Sequence, residues 1–371
     1  MIYRDMIIAE IKSITSNVTF KVLLFLLVSL QITGMFESYK SWKDIVYNIE
    51  SYNNVADLWN GILDWEMIDK DEIDLDTGDI NSSLEKYRDI TKDTWYVEYL
   101  LAAYRNAAWY RNIDFLQEQL SIDAKKIYQD NLRRLRIVGE PTYVNCYGLN
   151  IFVQNLTGIA TAFLIGVILV LLLSPIFVRD KQNSMDIIIE SSKLGYRKNK
   201  IMKVYASFLL VFIIVTVYYF GFLFMYLMLF RDYHSIIYPI NSLPVFYNSP
   251  YDSSILGYLI KSYLRLLLGS FAITGSSLLI SEKSKSYVIS IVLNLFLLLF
   301  PFIVPSFGLI SKIMGLFPIS SIQGLFTYDQ YIGYEFGKYV LVYKDLSIGF
   351  LLLMNIISIY LICRRNKCYV K

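Results

Sequence analysis

RDKQNSMDIIIESSKLGYRKNKIMK, residues 179–203, lies between two apolar runs, Tyr147 to Val178 and Val204 to Phe230, neither of which holds a charged residue. Each run is long enough to cross a bilayer as a helix, so the stretch between them reads as a loop joining two membrane spans. It carries seven Lys/Arg against three Asp/Glu. Positive charge in a short loop marks the cytosolic side, because such loops resist translocation. The middle, Ser184 to Ser192, reads as a short helix with Met185, Ile188 and Ile189 on one side and Gly195 as its stop. An apolar ridge flanked by charge is a shape that a cytosolic partner can grip.

Composition points the same way. Of 371 residues, 55% are hydrophobic and only 18% charged, low for a soluble chain of this length. Twenty-one of the thirty-two acids fall between Glu37 and Glu140, and the long apolar runs exclude them. The expected fold class is an all-α polytopic membrane protein, with six transmembrane helices plus a mostly helical extracellular domain. The net charge of +3 sums over two compartments. No basic stripe interleaved with aromatics is present, so no nucleic-acid partner is expected. Cys146 should face the opposite side of the membrane from Cys363 and Cys368, which leaves no disulfide framework or cysteine metal motif. One histidine, His234, excludes a histidine metal cluster and gives a Ser-His-Asp or Cys-His site no support. No catalytic residues and no metal ligands are therefore assigned.

Residues 1–19 precede the first span with helical periodicity. Tyr3, Ile7, Ile11, Ile14 and Val18 form one stripe, opposite Arg4, Asp5, Lys12 and Ser16. This fits a helix lying in the membrane interface, or one packed on a protein partner. The first span, 20–36, starts near Val18 with Lys21 snorkelling inward. Asp5 and Glu10 in the leader, and the lack of a small-residue cleavage site, argue against a cleaved signal peptide. Residues 37–150 carry thirteen Lys/Arg and twenty-one Asp/Glu and read as the extracellular domain. Trp42, Ile45 and Ile49 share helical spacing, Ser82 and Glu85 form a capping box, and Ile113 to Leu135 reads as a closing helix. The acidic run 69–79, DKDEIDLDTGD, lacks the residue order of a calcium loop and reads as a solvated turn.

The remaining spans are expected at 151–178, 204–230, 255–281, 286–306 and 346–363. The cytosolic loop 179–203 joins the first two of these, and 364–371 is a cytosolic tail. Arg364, Arg365, Lys367 and Lys371 mark that tail, so both termini are expected in the cytosol of a multi-pass protein of the cell membrane. Ser174-Pro175 should kink the second span, either as a hinge or as an ordinary membrane-helix proline. Lys261 and Arg265, four apart, either line a substrate path or interface, or snorkel to the outer headgroups. Gly269, Ala272, Gly275 and Ser276 form a small-residue face for close packing. Residues 307–345 follow Pro301 and Pro305 and are broken again by Gly308 and Pro318. They read as short re-entrant or interfacial helices on the outer side.

No span carries an interior Asp or Glu, which disfavours ion-coupled transport, and no phosphate-binding loop occurs. Energy for transport would have to enter through a partner on the inner face. The chain has an interfacial helix, a first span, a large outer domain and five more spans with a charged loop after the second. In this order it resembles the membrane subunit of ABC-type exporters of the second permease class. Phe177-Val-Arg-Asp-Lys through Glu190-Ser-Ser-Lys-Leu-Gly-Tyr-Arg to Lys203 is similar to that family's coupling segment. The resemblance implies an ABC ATPase subunit and a second permease copy or sister permease as partners. ATP would sit on the partner, with no cofactor on this chain, which is not itself an enzyme. It assigns ATPase coupling to Asp186, Glu190, Ser191, Ser192, Lys193, Leu194, Gly195 and Arg197. Within the family, export of a peptide-like or amphipathic substrate, or self-protection against one, is the expected role. The acidic outer domain would attract a cationic peptide, or is acidic only for solubility. Membrane lipid is a further partner. The alternative is an ATPase-driven mechanical transducer or sensor that acts through the outer domain without a transport path.

Overall fold

The computed structural model of the chain describes residues 2–45, 125–139, 142, 144–185, 195–303, 313–323, 328, 331–336 and 339–364. Eleven helices and one hairpin are used below: α1 (Ile2–Thr15), α2 (Val18–Ile45), α3 (Lys125–Val138), α4 (Tyr147–Thr157), α5 (Ile159–Leu173), α6 (Pro175–Gln182), α7 (Gly195–Phe230), α8 (Ile255–Lys283), α9 (Tyr287–Ile303), α10 (Pro318–Gln323), β1 (Gly333–Phe336), β2 (Tyr339–Val342) and α11 (Tyr343–Cys363). Most of residues 37–150, expected to form an outer domain, and the middle of the charged loop, including Asp186 and Glu190 to Leu194, lie outside the described residues.

Five helical stretches are long and apolar enough to cross a membrane: Val18–Lys43, Ile159–Gln182, Lys198–Phe230, Ile255–Lys283 and Tyr343–Cys363. Apolar runs of this length take up helix because every backbone donor then finds an acceptor within its own segment. A further apolar helix, α9, has 17 residues and contains Pro301. Burial ranks the spans. The apolar windows of α5–α6 and α8 are 72% and 67% buried, against 33% for α7, 28% for α11 and 11% for α2. The first two form the centre and the others surround them. The outer faces of the surrounding helices carry Phe25 and Leu30 on α2, Val217 and Phe224 on α7, Val292 and Phe296 on α9, and Ile356 and Tyr360 on α11, all exposed. Exposed apolar surface spread around a whole bundle suits hydrocarbon and not water.

The run from Tyr147 to Val178 is uncharged but is not one helix. It breaks at Gly158, whose extended ψ of 140° opens α5, and again at Ser174-Pro175. At the first break α4 turns against α7, and the two backbones meet at Gly148. A Cβ there would fall 2.4 Å from Phe230 Cβ. Phe230 also carries an edge contact from Trp42 of α2 at 5.3 Å between ring centroids, so α2, α4 and α7 share one aromatic seat. Asp232 accepts a 2.8 Å hydrogen bond from the Leu149 amide, capping the N-terminus of α4 from a distant loop. The small-residue face of α8 packs as expected from its sequence: Gly269 meets α10, and Gly275 meets Ser358 of α11, where a Cβ would fall 2.9 Å from the Ser358 Cβ.

The chain after Pro318 departs from the helical expectation. β1 and β2 form an antiparallel hairpin with Phe336 opposite Tyr339, between α10 and α11. Helix α3 rests on this hairpin. Arg134 donates to Asp130 at 2.8 Å, Tyr331 donates to the same carboxylate, and the Arg134 guanidinium lies 5.7 Å from the Tyr331 ring centroid. Partial burial works to raise the Asp130 pKa, but the hydrogen bonds from Tyr331 and Arg134 outweigh it and hold the carboxyl below its ordinary 3.8. A depressed folded-state pKa stabilises above 3.8, and that contribution is lost as pH falls through the folded value. Spin labels on Gln129 and Tyr339 should therefore keep a single narrow distance from pH 8 to pH 5 and broaden well below pH 3.8, whereas Asp130→Asn should be broad throughout. A distance left narrow by Asp130→Asn would show that this carboxylate does not hold α3 in place.

Candidate functional site

The site builds outward from Pro175. Proline has no amide hydrogen, so the helix ladder loses a bond in the most buried span. Side chains from two neighbours bond to the residues on either side of it. Ser281 of α8 donates its hydroxyl to the Ser174 carbonyl at 2.8 Å and accepts from the Phe177 amide at 3.1 Å. Ser290 of α9 donates to the same carbonyl at 3.1 Å, and the Asn294 amide donates to Ser174 Oγ at 3.1 Å. All four polar residues are buried. The proline break is thus a joint held from two sides.

Four residues further along α6, at Arg179, the charged loop begins, and α7 leaves it. Both are fastened. Lys203 of α7 donates to Asp180 of α6 at 2.6 Å and to the Ile176 carbonyl at 2.9 Å, with Glu10 of α1 4.0 Å away. Lys200, one turn earlier, pairs with Glu282 of α8 at 2.5 Å, and both side chains are under 10% exposed. Lys181 donates to the Glu282 and Ser284 carbonyls, and Arg179 donates to Ser13 Oγ of α1 at 2.7 Å. Taking lysine and carboxylate out of water is costly and is recovered only by close pairing with further hydrogen bonds, which is the arrangement here. The result is a clamp of α1, α6, α7 and α8 around the two ends of residues 186–194.

Of the residues assigned to coupling from the sequence, Asp186, Glu190, Ser191, Ser192, Lys193 and Leu194 lie outside the described residues. Gly195 opens α7, and Arg197 lies in its first turn. The clamp residues themselves were missed. Each half left a trace, though nothing local pairs them: Lys200 and Lys203 are three apart and share a helix face just before an apolar run, and Glu282 is the one acid in α8. Two cations at the foot of a span need acids, and these are the acids in reach. Helix α1 packs its Ile11 and Ile14 onto the main core, while Ile8 is exposed.

At the other end, Lys261 and Arg265 part company. Lys261 is exposed and reaches Ser253 Oγ at 3.2 Å. Arg265 is 4% exposed and donates to the Lys344 carbonyl at 2.8 Å and to Ser347 Oγ, with the Tyr343 ring centroid 5.7 Å away. It borders a cavity of about 10 Å³ lined also by Thr157, Tyr258, Gln323 and Tyr328, the volume of one water position. Among the described residues no group of His, Cys, Asp and Glu could hold a metal ion. No family model, curated protein or solved structure matches this chain.

Replacing Lys200 by Met removes the main partner of a buried carboxylate. It should cost about 3–5 kcal/mol, read as a lower melting temperature in detergent. The double variant Lys200→Met with Glu282→Leu should recover most of the loss. A double variant no better than the single one would refute the pairing as the fastening.

Proposed function

We propose that this chain is the permease subunit of an ATP-driven ABC exporter, with six spans and both termini in the cytosol. A separate ATPase docks on residues 186–194 and moves the bundle. The observation that carries this reading is the clamp: both ends of the loop are pinned to the two central spans by ion pairs, the partly buried Lys203–Asp180 and the buried Lys200–Glu282. A push on a loop is lost if its ends give way. Here it passes into α6 and α8 through contacts that are expensive to separate. The substrate is peptide-like or amphipathic, ATP belongs to the partner, and a second permease copy or a sister permease completes the path. The localisation is the cell membrane.

Purification from native cells in mild detergent should bring down an ATP-hydrolysing partner in fixed ratio. Replacing residues 186–194 with a Gly/Ser linker should release that partner while the melting temperature changes little. Glu190→Arg should abolish coupled ATP hydrolysis in the same preparation. A chain that purifies alone and without ATPase activity defeats the exporter reading. Retention of the partner by the linker variant defeats the assignment of the loop.

A further inference from the structure

Beside the clamp, at the elbow where α1 turns into α2, lies a cavity of about 60 Å³ bounded by α1, α2, α5, α6 and α7. Its lining is sorted by height. One end is polar, with Glu10 and Ser13 of α1 and Arg179 of α6, and the other is apolar, with Phe20, Leu23 and Leu171. The polar end sits at the start of the α2 span and the end of the α6 span, and the apolar end faces into the bundle's hydrocarbon-facing zone. That ordering follows the boundary between lipid headgroups and acyl chains. The volume corresponds to roughly four to six water positions, room for the polar part of a headgroup but not for acyl chains. The exposed Val22 and Phe25 of α2 continue the apolar side outward, where chains would run.

The charges select the kind of headgroup. Lys203 also lines the cavity, but its ammonium is held by Asp180 at 2.6 Å, with Glu10 at 4.0 Å. The four formal charges of Glu10, Asp180, Arg179 and Lys203 sum to zero, so the site offers no net attraction to an anionic lipid. What remains is a dipole. Arg179 presents a guanidinium whose bond to Ser13 Oγ spends one of its five N–H donors, and that hydroxyl, acting as acceptor, keeps its own hydrogen to donate. Opposite stands the Glu10 carboxylate, which is partly exposed.

We propose that this cavity holds the headgroup of a zwitterionic aminophospholipid of the inner leaflet, its phosphate against Arg179 and Ser13 and its primary ammonium against Glu10. A quaternary headgroup has no N–H to give the carboxylate, and an anionic one meets Glu10 unfavourably. The occupied site ties α1 to α6 next to the loop and makes the clamp sensitive to lipid composition. The inference rests on the membrane placement of the bundle and on the cytosolic termini proposed above, and is independent of the ATPase.

The test is native mass spectrometry of the full chain released from nanodiscs of equimolar phosphatidylethanolamine, phosphatidylcholine and phosphatidylglycerol. One phosphatidylethanolamine per chain should be retained in preference to the other two. Arg179→Ala should lower that retention at least fivefold, and Glu10→Gln should erase the preference over phosphatidylglycerol. If the arginine variant does not fold, Ser13→Ala and Glu10→Gln carry the test. Equal retention of the three lipids, or retention unchanged in these variants, overturns the proposal. So does an equal rise in melting temperature with inorganic phosphate alone, which would make this a free-phosphate site. Release of the chain from membranes by alkaline carbonate would instead defeat the membrane placement on which the site depends.

Discussion

Pro175 removes a backbone donor from the most buried span, and the end of the bundle next to residues 186–194 is arranged around that break. In hydrocarbon an unsatisfied carbonyl or amide costs several kcal/mol. Three side chains from two other helices bond to Ser174 and Phe177 beside the break, and these bonds join α8 and α9 to α5 and α6. The chain direction after the break carries Asp180 and Lys181 to where the first residues of α7 and the last of α8 can meet them. The serine joint and the ion-pair clamp are consecutive parts of one structure. Without the joint α6 would have no fixed direction, and without the clamp the loop ends would have no fixed separation.

The clamp uses lysines, which demand more of their surroundings than hydroxyls do. A buried ammonium is stable only where acceptors converge on it, and Lys203 has Asp180, the Ile176 carbonyl and Glu10 within 4.0 Å. Buried pairs of this kind add little net stability over apolar residues of equal size, but they penalise every arrangement that separates them. They suit a place where relative position matters more than total stability. The opposite end of the bundle relies more on aromatic and neutral polar contacts: Tyr258 and Phe246 against Tyr328, Asn155 to Tyr226, and Val245 to Asn150, beside the buried Arg265.

Much of the helical frame was legible in the sequence because its cause is local. Uncharged runs longer than a bilayer is thick have one economical conformation, and charges at their ends set their limits. Where a single residue changed the outcome, the pattern was silent. Nothing in the apolar run from Tyr147 to Val178 marks Gly158 as a break, since glycine is common in membrane helices. The hairpin at residues 333–342 had a signal, Tyr-Glu-Phe-Gly-Lys-Tyr-Val-Leu, with Gly-Lys between two β-favouring runs, but the prolines before it drew the reading toward broken helices. The clamp was the least legible feature. Lys200 and Glu282 are 82 residues apart in sequence, and no periodicity within either helix reveals a partner on the other.

The distribution of strong and weak contacts also says where the chain can yield. At Ser174-Pro175 three side chains bridge the break, and at the loop ends ion pairs do. At Gly158 no side chain caps the start of α5, and glycine carries none of its own to do so. A Cβ there would meet only the Gln154 and Asn155 carbonyls, at 3.3 and 3.4 Å. The Ser174-Pro175 break and the loop ends are thus bridged by side chains, whereas the start of α5 is not. Beyond it, α4 is held by the Asp232 cap and by Phe230 packed on Gly148, so it stays with α7 while α5 stays with α8. The helices on either side of that glycine are thus seated on different neighbours, α4 on α7 and α5 on α8.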